Sequence, residues 1–287
     1  VSMMLDITGS MGGSKIADLK LAAKDLIDIV VWADQSEYTS KVALAPFSQH
    51  VNVGRTYFRA VTNRNPSGTG DARTCVRERT NSNRYTDQPP GSSNYFTAWT
   101  SSSSCNPSKA IRTLTNDKAA LKSHIDSFNA SGATAGHLGT GWAWYLLSPR
   151  WSGIWPASSR PREYADITAK GEHGQPLLQK IAVLMTDGDY NTEFWNGVKA
   201  KTSYDARANS NPTNADAETQ AKALCTAMKA KNIEVYTVGF QVSSAAKTLL
   251  KGCATDNSHY YDATSGDALK MAFRDIALKI SSLRLNK

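Results

Sequence analysis

No apolar run in the chain approaches the roughly 18 to 20 residues that a membrane-spanning helix requires. Nor is there a stretch of five or six consecutive Lys or Arg. The 33 basic residues, set against 25 acidic ones for a net charge of +8, are scattered and come with no recognition-helix or RNA-binding signature. Nucleic acid is therefore excluded from the expected partners, while an anionic glycan or a lipid surface is not. Cys-x-x-Cys is absent, and with it the zinc and dithiol-redox readings. The histidines, His50, His124, His137, His173 and His259, form neither His-x-His nor His-Glu-x-x-His, so each is read as a surface or satisfied core residue. A Gly-x-Ser-x-Gly elbow and internal repeats are lacking too. What is present is an ordinary globular composition: 40% of the 287 residues are hydrophobic and 20% charged, which excludes disorder and supplies the core of one large domain or two small ones.

Along the chain, residues 1 to 5 predict a strand, and the polar turn Asp6-Ile-Thr-Gly-Ser-Met-Gly-Gly leads into a helix from about Lys15 to Trp32, with Leu19, Ala22, Ala23, Leu26, Ile27 and Val30 at helical spacing. Val1 is not a Met and opens straight into this strand, so a signal peptide or membrane anchor is expected upstream. Lys41 to Ser48 and Val51 to Gly54 read as a short strand pair. Helices are expected at Asp117 to Phe128, His137 to Leu147, Asp216 to Lys231 and Ser244 to Lys251, and strands at Lys180 to Thr186, Ile233 to Phe240 and His259 to Asp262. A closing helix follows, with Thr264-Ser-Gly-Asp267 read as a capping box. Three stretches rich in Ser, Asn, Pro or Gly, at about 55–109, 148–178 and 190–215, read as insertions into a single domain covering 1–287. Alternating strands and helices imply an α/β, doubly wound, mostly parallel sheet with helices on both faces. Trp142 and Trp144, on one helix, and Tyr260 with Tyr261 are read as packing residues.

In such sheets ligands bind beyond the carboxyl ends of the strands, where strand order reverses. Three polar loops compete for that place and together offer Asp6, Thr8, Ser10, Thr134 and Asp187, all oxygen donors. That chemistry suits Mg²⁺, or Mn²⁺ or Ca²⁺, over zinc or copper. The plainer alternative is that Asp6, Ser10 and Thr134 only cap helices. Gly9-Ser-Met-Gly-Gly-Ser-Lys15 departs from a phosphate-binding P-loop, because Ser14 separates the last Gly from Lys15 and Ile16 follows it. Asp6 with Gly188-Asp189-Tyr190-Asn191 fits the outline of a haloacid-dehalogenase phosphatase, but the general acid expected two residues after the nucleophile is Thr8.

The five residues resemble the metal-ion-dependent adhesion site of the von Willebrand factor A domain, read as Asp-x-Ser-x-Ser, a distant Thr and a distant Asp. Here it stands as Asp6-Ile-Thr8-Gly-Ser10, Thr134 and Asp187, with Thr8 in place of the first Ser. The likeness covers the chain outside the insertions, and it implies one antiparallel edge strand, Val51 to Gly54, in the mostly parallel sheet. Gly132-Ala-Thr-Ala-Gly-His-Leu-Gly-Thr-Gly-Trp-Ala-Trp, Leu184-Met-Thr-Asp-Gly-Asp-Tyr-Asn-Thr and Leu250-Lys-Gly-Cys-Ala further resemble the A domain of bacterial TadG-like pilus-assembly proteins. The resemblance implies no enzyme. It implies a metal-dependent binding module of the bacterial envelope, periplasmic or outside, acting in Tad-type pilus assembly or attachment, whose ion is completed by an acidic side chain from a protein partner. An A domain serving an intracellular ATPase is the rival.

The four cysteines allow three pairings, and proximity favours Cys75 with Cys105 and Cys225 with Cys253, which implies an oxidising compartment; four reduced thiols are the alternative. Partner specificity is assigned to 190–215, through Tyr190, Asn191, Phe194 and Trp195. This segment starts at the metal rim, while the roots of the other two insertions are expected at the opposite end of the sheet.

Overall fold

The computed structural model describes residues 1–99, 105, 109–172, 174–195, 198–201 and 216–282. In chain order the elements are β1 (Ser2–Asp6), α1 (Ser14–Val30), β2 (Val42–Phe47), β3 (Val51–Asn52), α2 (Gly54–Thr62), β4 (Cys75–Val76), β5 (Ala98–Trp99), β6 (Arg112–Thr115), α3 (Lys118–Asp126), α4 (Gly136–Tyr145), α5 (Ala165–Thr168), β7 (Ile181–Thr186), β8 (Glu193–Trp195), β9 (Val198–Lys201), α6 (Ala217–Lys229), β10 (Glu234–Phe240), α7 (Ser244–Cys253), β11 (Tyr260–Ala263) and α8 (Gly266–Ser282).

The main sheet runs β11-β10-β7-β1-β2-β3-β4-β5, with β6 also paired to β2. The five strands from β11 to β2 are parallel, and β3 and β6 meet β2 antiparallel at its two ends. β1 and β7 are buried throughout, and apolar except at Ser2, Asp6 and Thr186, because both faces of a parallel sheet are covered. Their side chains alternate between two cores. Met3, Leu5, Val183 and Met185 pack with α1, α3 and α8, while Met4, Ala182 and Leu184 pack with α4, α6 and α7. At roughly 1.5 to 3 kcal/mol for each large side chain fully buried, these layers dominate the stabilisation. The chain leaves β1 toward β2 on one side and returns through β7 on the other, so strand order reverses between β1 and β7.

Several elements depart from the sequence expectation. The 55–109 stretch is no plain insertion: it contributes α2 and extends the main sheet through β4 and β5. β6 went unread because an edge strand of Arg-Thr-Leu-Thr buries only Leu114 and shows no apolar run. In the 148–178 stretch the prolines admit only 3-10 turns and the single helical turn α5. The 190–215 stretch begins as the β8–β9 hairpin; its residues 196–197 and 202–215 lie outside the described residues. The first turn of α8 is capped by Ser265, whose hydroxyl accepts from Ala268 N at 3.1 Å, and not by Thr264. Both disulfides form as expected, Cys75–Cys105 and Cys225–Cys253, with Cα–Cα distances of 5.3 and 5.0 Å. Among the described residues no helix is long and apolar enough to cross a membrane.

Candidate metal centre

Backbone hydrogen bonds stitch three loops together beyond the carboxyl ends of β1 and β7. Ser131 N donates to Ile7 O at 2.9 Å and Gly9 N to Gly132 O at 2.8 Å, joining the loop after β1 to the loop before α4. A Cβ on Gly9 would stand 3.3 Å from that same carbonyl, so the approach is close. Asn191 N and Thr192 N both donate to Thr134 O, at 3.0 and 3.2 Å, and Thr134 N donates back to Asn191 Oδ1 at 3.1 Å, which joins the loop after β7. Ala135 N donates to Ser48 O at 3.0 Å and fastens the assembly to the end of β2.

Four of the five expected residues form one chain of contacts. Thr8 Oγ1 lies 2.9 Å from Ser10 Oγ, and Ser10 Oγ donates to Asp187 Oδ1 at 2.6 Å. Asp6 is wholly buried; its Oδ1 accepts from Thr8 N at 2.8 Å and its Oδ2 from Thr186 Oγ1 at 2.6 Å. Thr134, also buried, sits on the stitched loop beside them. The hydroxyls are not spent on helix ends: neither the 3-10 turn Gly9–Met11, nor α1, nor α4 has a side-chain cap. Helix capping is thereby set aside as the explanation of these residues. Gly13 enters α1 at φ +75°, a left-handed conformation that lets the chain turn from the 3-10 element into the helix directly under the site.

The electrostatics favour a cation. Burial first, and the Asp187 carboxylate second, push the Asp6 carboxyl above its ordinary range, against hydrogen bonds from Thr186 and Thr8 that pull it down. Two buried carboxylates face one ammonium, Lys15 Nζ, at 2.8 Å from Asp187 Oδ2. Ionised, the cluster carries one negative charge more than it neutralises, within a set of hard oxygen donors. This fits a small divalent ion, to be held by Thr8, Ser10 and Thr134 with Asp6 and Asp187 behind them. Among the described residues no group of three or more His, Cys, Asp or Glu side chains is placed to hold a metal ion.

Sequence reasoning missed Thr186 and Lys15. The first is the last residue of an apolar strand, and its polarity directly before Asp187 was the available signal. The second was weighed only as a phosphate-loop lysine.

The aromatic residues assigned to a partner largely fail that role. Phe194 is fully buried, 6.1 Å from the His50 ring and 5.4 Å from the Arg77 guanidinium, and Tyr190 fills the space over Gly136. Asn191 clamps Thr134, and only Trp195, 40% exposed, presents a surface. The first insertion roots at the opposite end of the sheet, as expected, with Ala110 bridged to Asn52, but its path does not stay there. β4 runs back antiparallel to β3 and delivers Arg77 and Glu78 to the end of the sheet where β1 and β7 finish. There Glu78 Oε1 meets His137 Nε2 at 2.8 Å and Gln220 Nε2 at 3.2 Å, while Arg77 stacks on Trp99 at 3.9 Å. Residues 148–178 do stay at the opposite end, where Lys41 Nζ, just before β2, donates to Ser158 O at 2.6 Å.

No protein-family profile and no curated protein matches the chain. Solved structures do. The von Willebrand factor domain of the type V pili tip protein Mfa5 from Porphyromonas gingivalis aligns over 98% of this chain and 94% of its own, at 13% identity and a TM-score of 0.56. The pilus adhesin SpaC from Lactobacillus rhamnosus GG aligns at 14% identity and a TM-score of 0.53, and the chain spans 30% of its length while 98% of this chain is covered. The adhesive tip pilin GBS104 from Group B Streptococcus agalactiae aligns at 11% identity and a TM-score of 0.51, over 97% of this chain and 98% of its own. At these identities the likeness establishes the fold: this chain has the von Willebrand factor A architecture, a mostly parallel sheet flanked by helices.

Proposed function

We propose that this chain is a non-catalytic, divalent-metal-dependent binding module of the bacterial cell surface, acting in pilus-borne adhesion or pilus assembly. The observation that carries the reading is the contact chain Thr8–Ser10–Asp187 over the buried Asp6, set at the reversal of strand order. A bound Mg²⁺ or Mn²⁺ would supply a Lewis-acidic centre for a partner's Glu or Asp carboxylate. The protein's part is to present it. Thr8, Ser10 and Thr134 are neutral donors, so little negative charge would touch the ion directly. Asp6, fixed by Thr186 and by Thr8 N, balances charge from beneath. The stitched loops hold these groups in register without a partner present.

Two features support the surface location. Both cysteine pairs are oxidised, which fits a compartment outside the cytoplasm and disfavours an intracellular ATPase partner. The solved structures most like the chain include pilus adhesin and tip proteins. The Tad-type assignment rests on the motif resemblance described above. The phosphatase outline finds less support, since Thr8 contacts Ser10 and Asp189 accepts from Ser243 Oγ at 2.5 Å, away from Asp6.

Titration calorimetry with MgCl₂ and MnCl₂ tests the site. Asp6→Ala and Asp187→Ala are each expected to weaken binding by at least about tenfold, on the order of 1.4 kcal/mol or more for losing a carboxylate from a small-ion site. Unchanged affinity in both variants would remove the metal from this reading.

A further inference from the structure

Lys15 occupies a position that helix electrostatics disfavours. It is the second residue of α1, whose first turn contains no acidic residue, and a cation there opposes the positive end of the helix dipole. The compensating contact is Asp187, whose side chain is fully buried while that of Lys15 is 24% exposed. The ammonium also lies 5.6 Å above the Phe240 ring. Asp187 is thus occupied on both oxygens, by Ser10 on Oδ1 and by Lys15 on Oδ2.

Resting on the metal-site reading above, we propose that Lys15 is a built-in competitor of the divalent ion: it neutralises Asp187 in the metal-free protein and must give up that contact when the ion binds. The charge count motivates this. Asp6 and Asp187 with Lys15 leave a net charge of −1, and removing the ammonium restores −2 for the incoming ion. Tethering makes the competition strong, because Lys15 sits in α1 directly beneath the loop and its effective concentration at Asp187 far exceeds that of a free cation. The side chain has somewhere to go. A flexible four-carbon stem carrying a strongly hydrated point charge, already partly exposed, can swing into solvent without opening the core. Lys15 therefore sets the metal concentration at which the site fills, and a chain without it would be loaded at lower Mg²⁺.

The test compares wild type with Lys15→Met, Lys15→Gln and Lys15→Arg by calorimetric titration of MnCl₂ and by melting temperature with and without metal. Met and Gln are expected to bind Mn²⁺ about five- to tenfold tighter, the scale of losing one partly screened ion pair, with Arg staying within about twofold of wild type. Metal-free Met and Gln variants should melt lower than wild type, and the metal-saturated forms alike, so metal raises their melting temperature more. Equal or weaker Mn²⁺ binding by Met and Gln, with wild type binding, overturns this inference and leaves the metal site standing. Absence of binding in all four proteins overturns both.

Discussion

At the residue scale, His124 shows what burial does to a single titratable group. Its ring is buried at the end of α3, with Nε2 2.7 Å from Ala110 O. Burial lowers its pKa to about 4, aided by Arg112 and Lys109 and opposed by the Ala110 carbonyl and Asp71. Because the folded value is depressed, the unfolded chain takes up its proton first as pH falls below about 6.5, so stability drops between pH 6.5 and 4. His124→Gln, which keeps a donor for Ala110 without titrating, should remove about 2 kcal/mol of that loss. Urea unfolding at pH 7 and pH 4.5 measures it; an equal acid loss in the variant contradicts the assignment. The same scale explains the misreading of Phe194 and Tyr190. Aromatics in a polar loop look alike in sequence whether they point out or in. Here Arg77 and His50 in one case, and Gly136 in the other, provided the inner seat.

At the scale of elements, α4 is the test of close packing. Every residue of Gly136–Tyr145 is buried, and a Cβ at Gly136 would fall 1.9 Å from the Tyr190 ring, one at Gly139 2.7 Å from Phe47. Both glycines exist for contact, not for conformation. Gly136→Ala should cost about 2 to 3 kcal/mol in chemical denaturation, although alanine is the better helix former. An unchanged midpoint would mean that the Tyr190 ring is not seated there. Elements of this kind were legible in advance: α1, α4, β7 and β10 carry long patterns, and their expected bounds differ from the observed ones by a residue or two. Asp6, Thr8, Ser10 and Asp187 were legible because strand, turn and motif coincide. What escaped was non-local. Glu78 and His137 stand 59 positions apart, Thr186 and Asp6 180, and no periodicity announces such pairs. β4 and β5, two residues each, were invisible because their pairing depends on β3 already being placed.

At the scale of the whole molecule the two disulfides do different work. Cys225–Cys253 ties α6 to α7 inside the core on one face of the sheet. Cys75–Cys105 closes the segment that brings Arg77 and Glu78 to the carboxyl end of β1 and β7. Replacing Cys225 and Cys253 together by Ala should lower global stability by roughly 3 kcal/mol. Replacing Cys75 and Cys105 should instead raise hydrogen exchange locally at Arg77 to Arg79, leaving β1 and β7 protected. Exchange mass spectrometry separates the two, and a uniform loss of protection in the second variant would show that the segment is integral to the fold. The clasp between Thr134 and the pair Asn191 and Thr192 has a wider meaning. Three hydrogen bonds, with Tyr190 wedged over Gly136, leave no slack between the start of α4 and the hairpin that follows β7. The hairpin is thus moored at its root to the loop that opens α4, and its exposed Trp195 stands just past the last moored residue, Thr192.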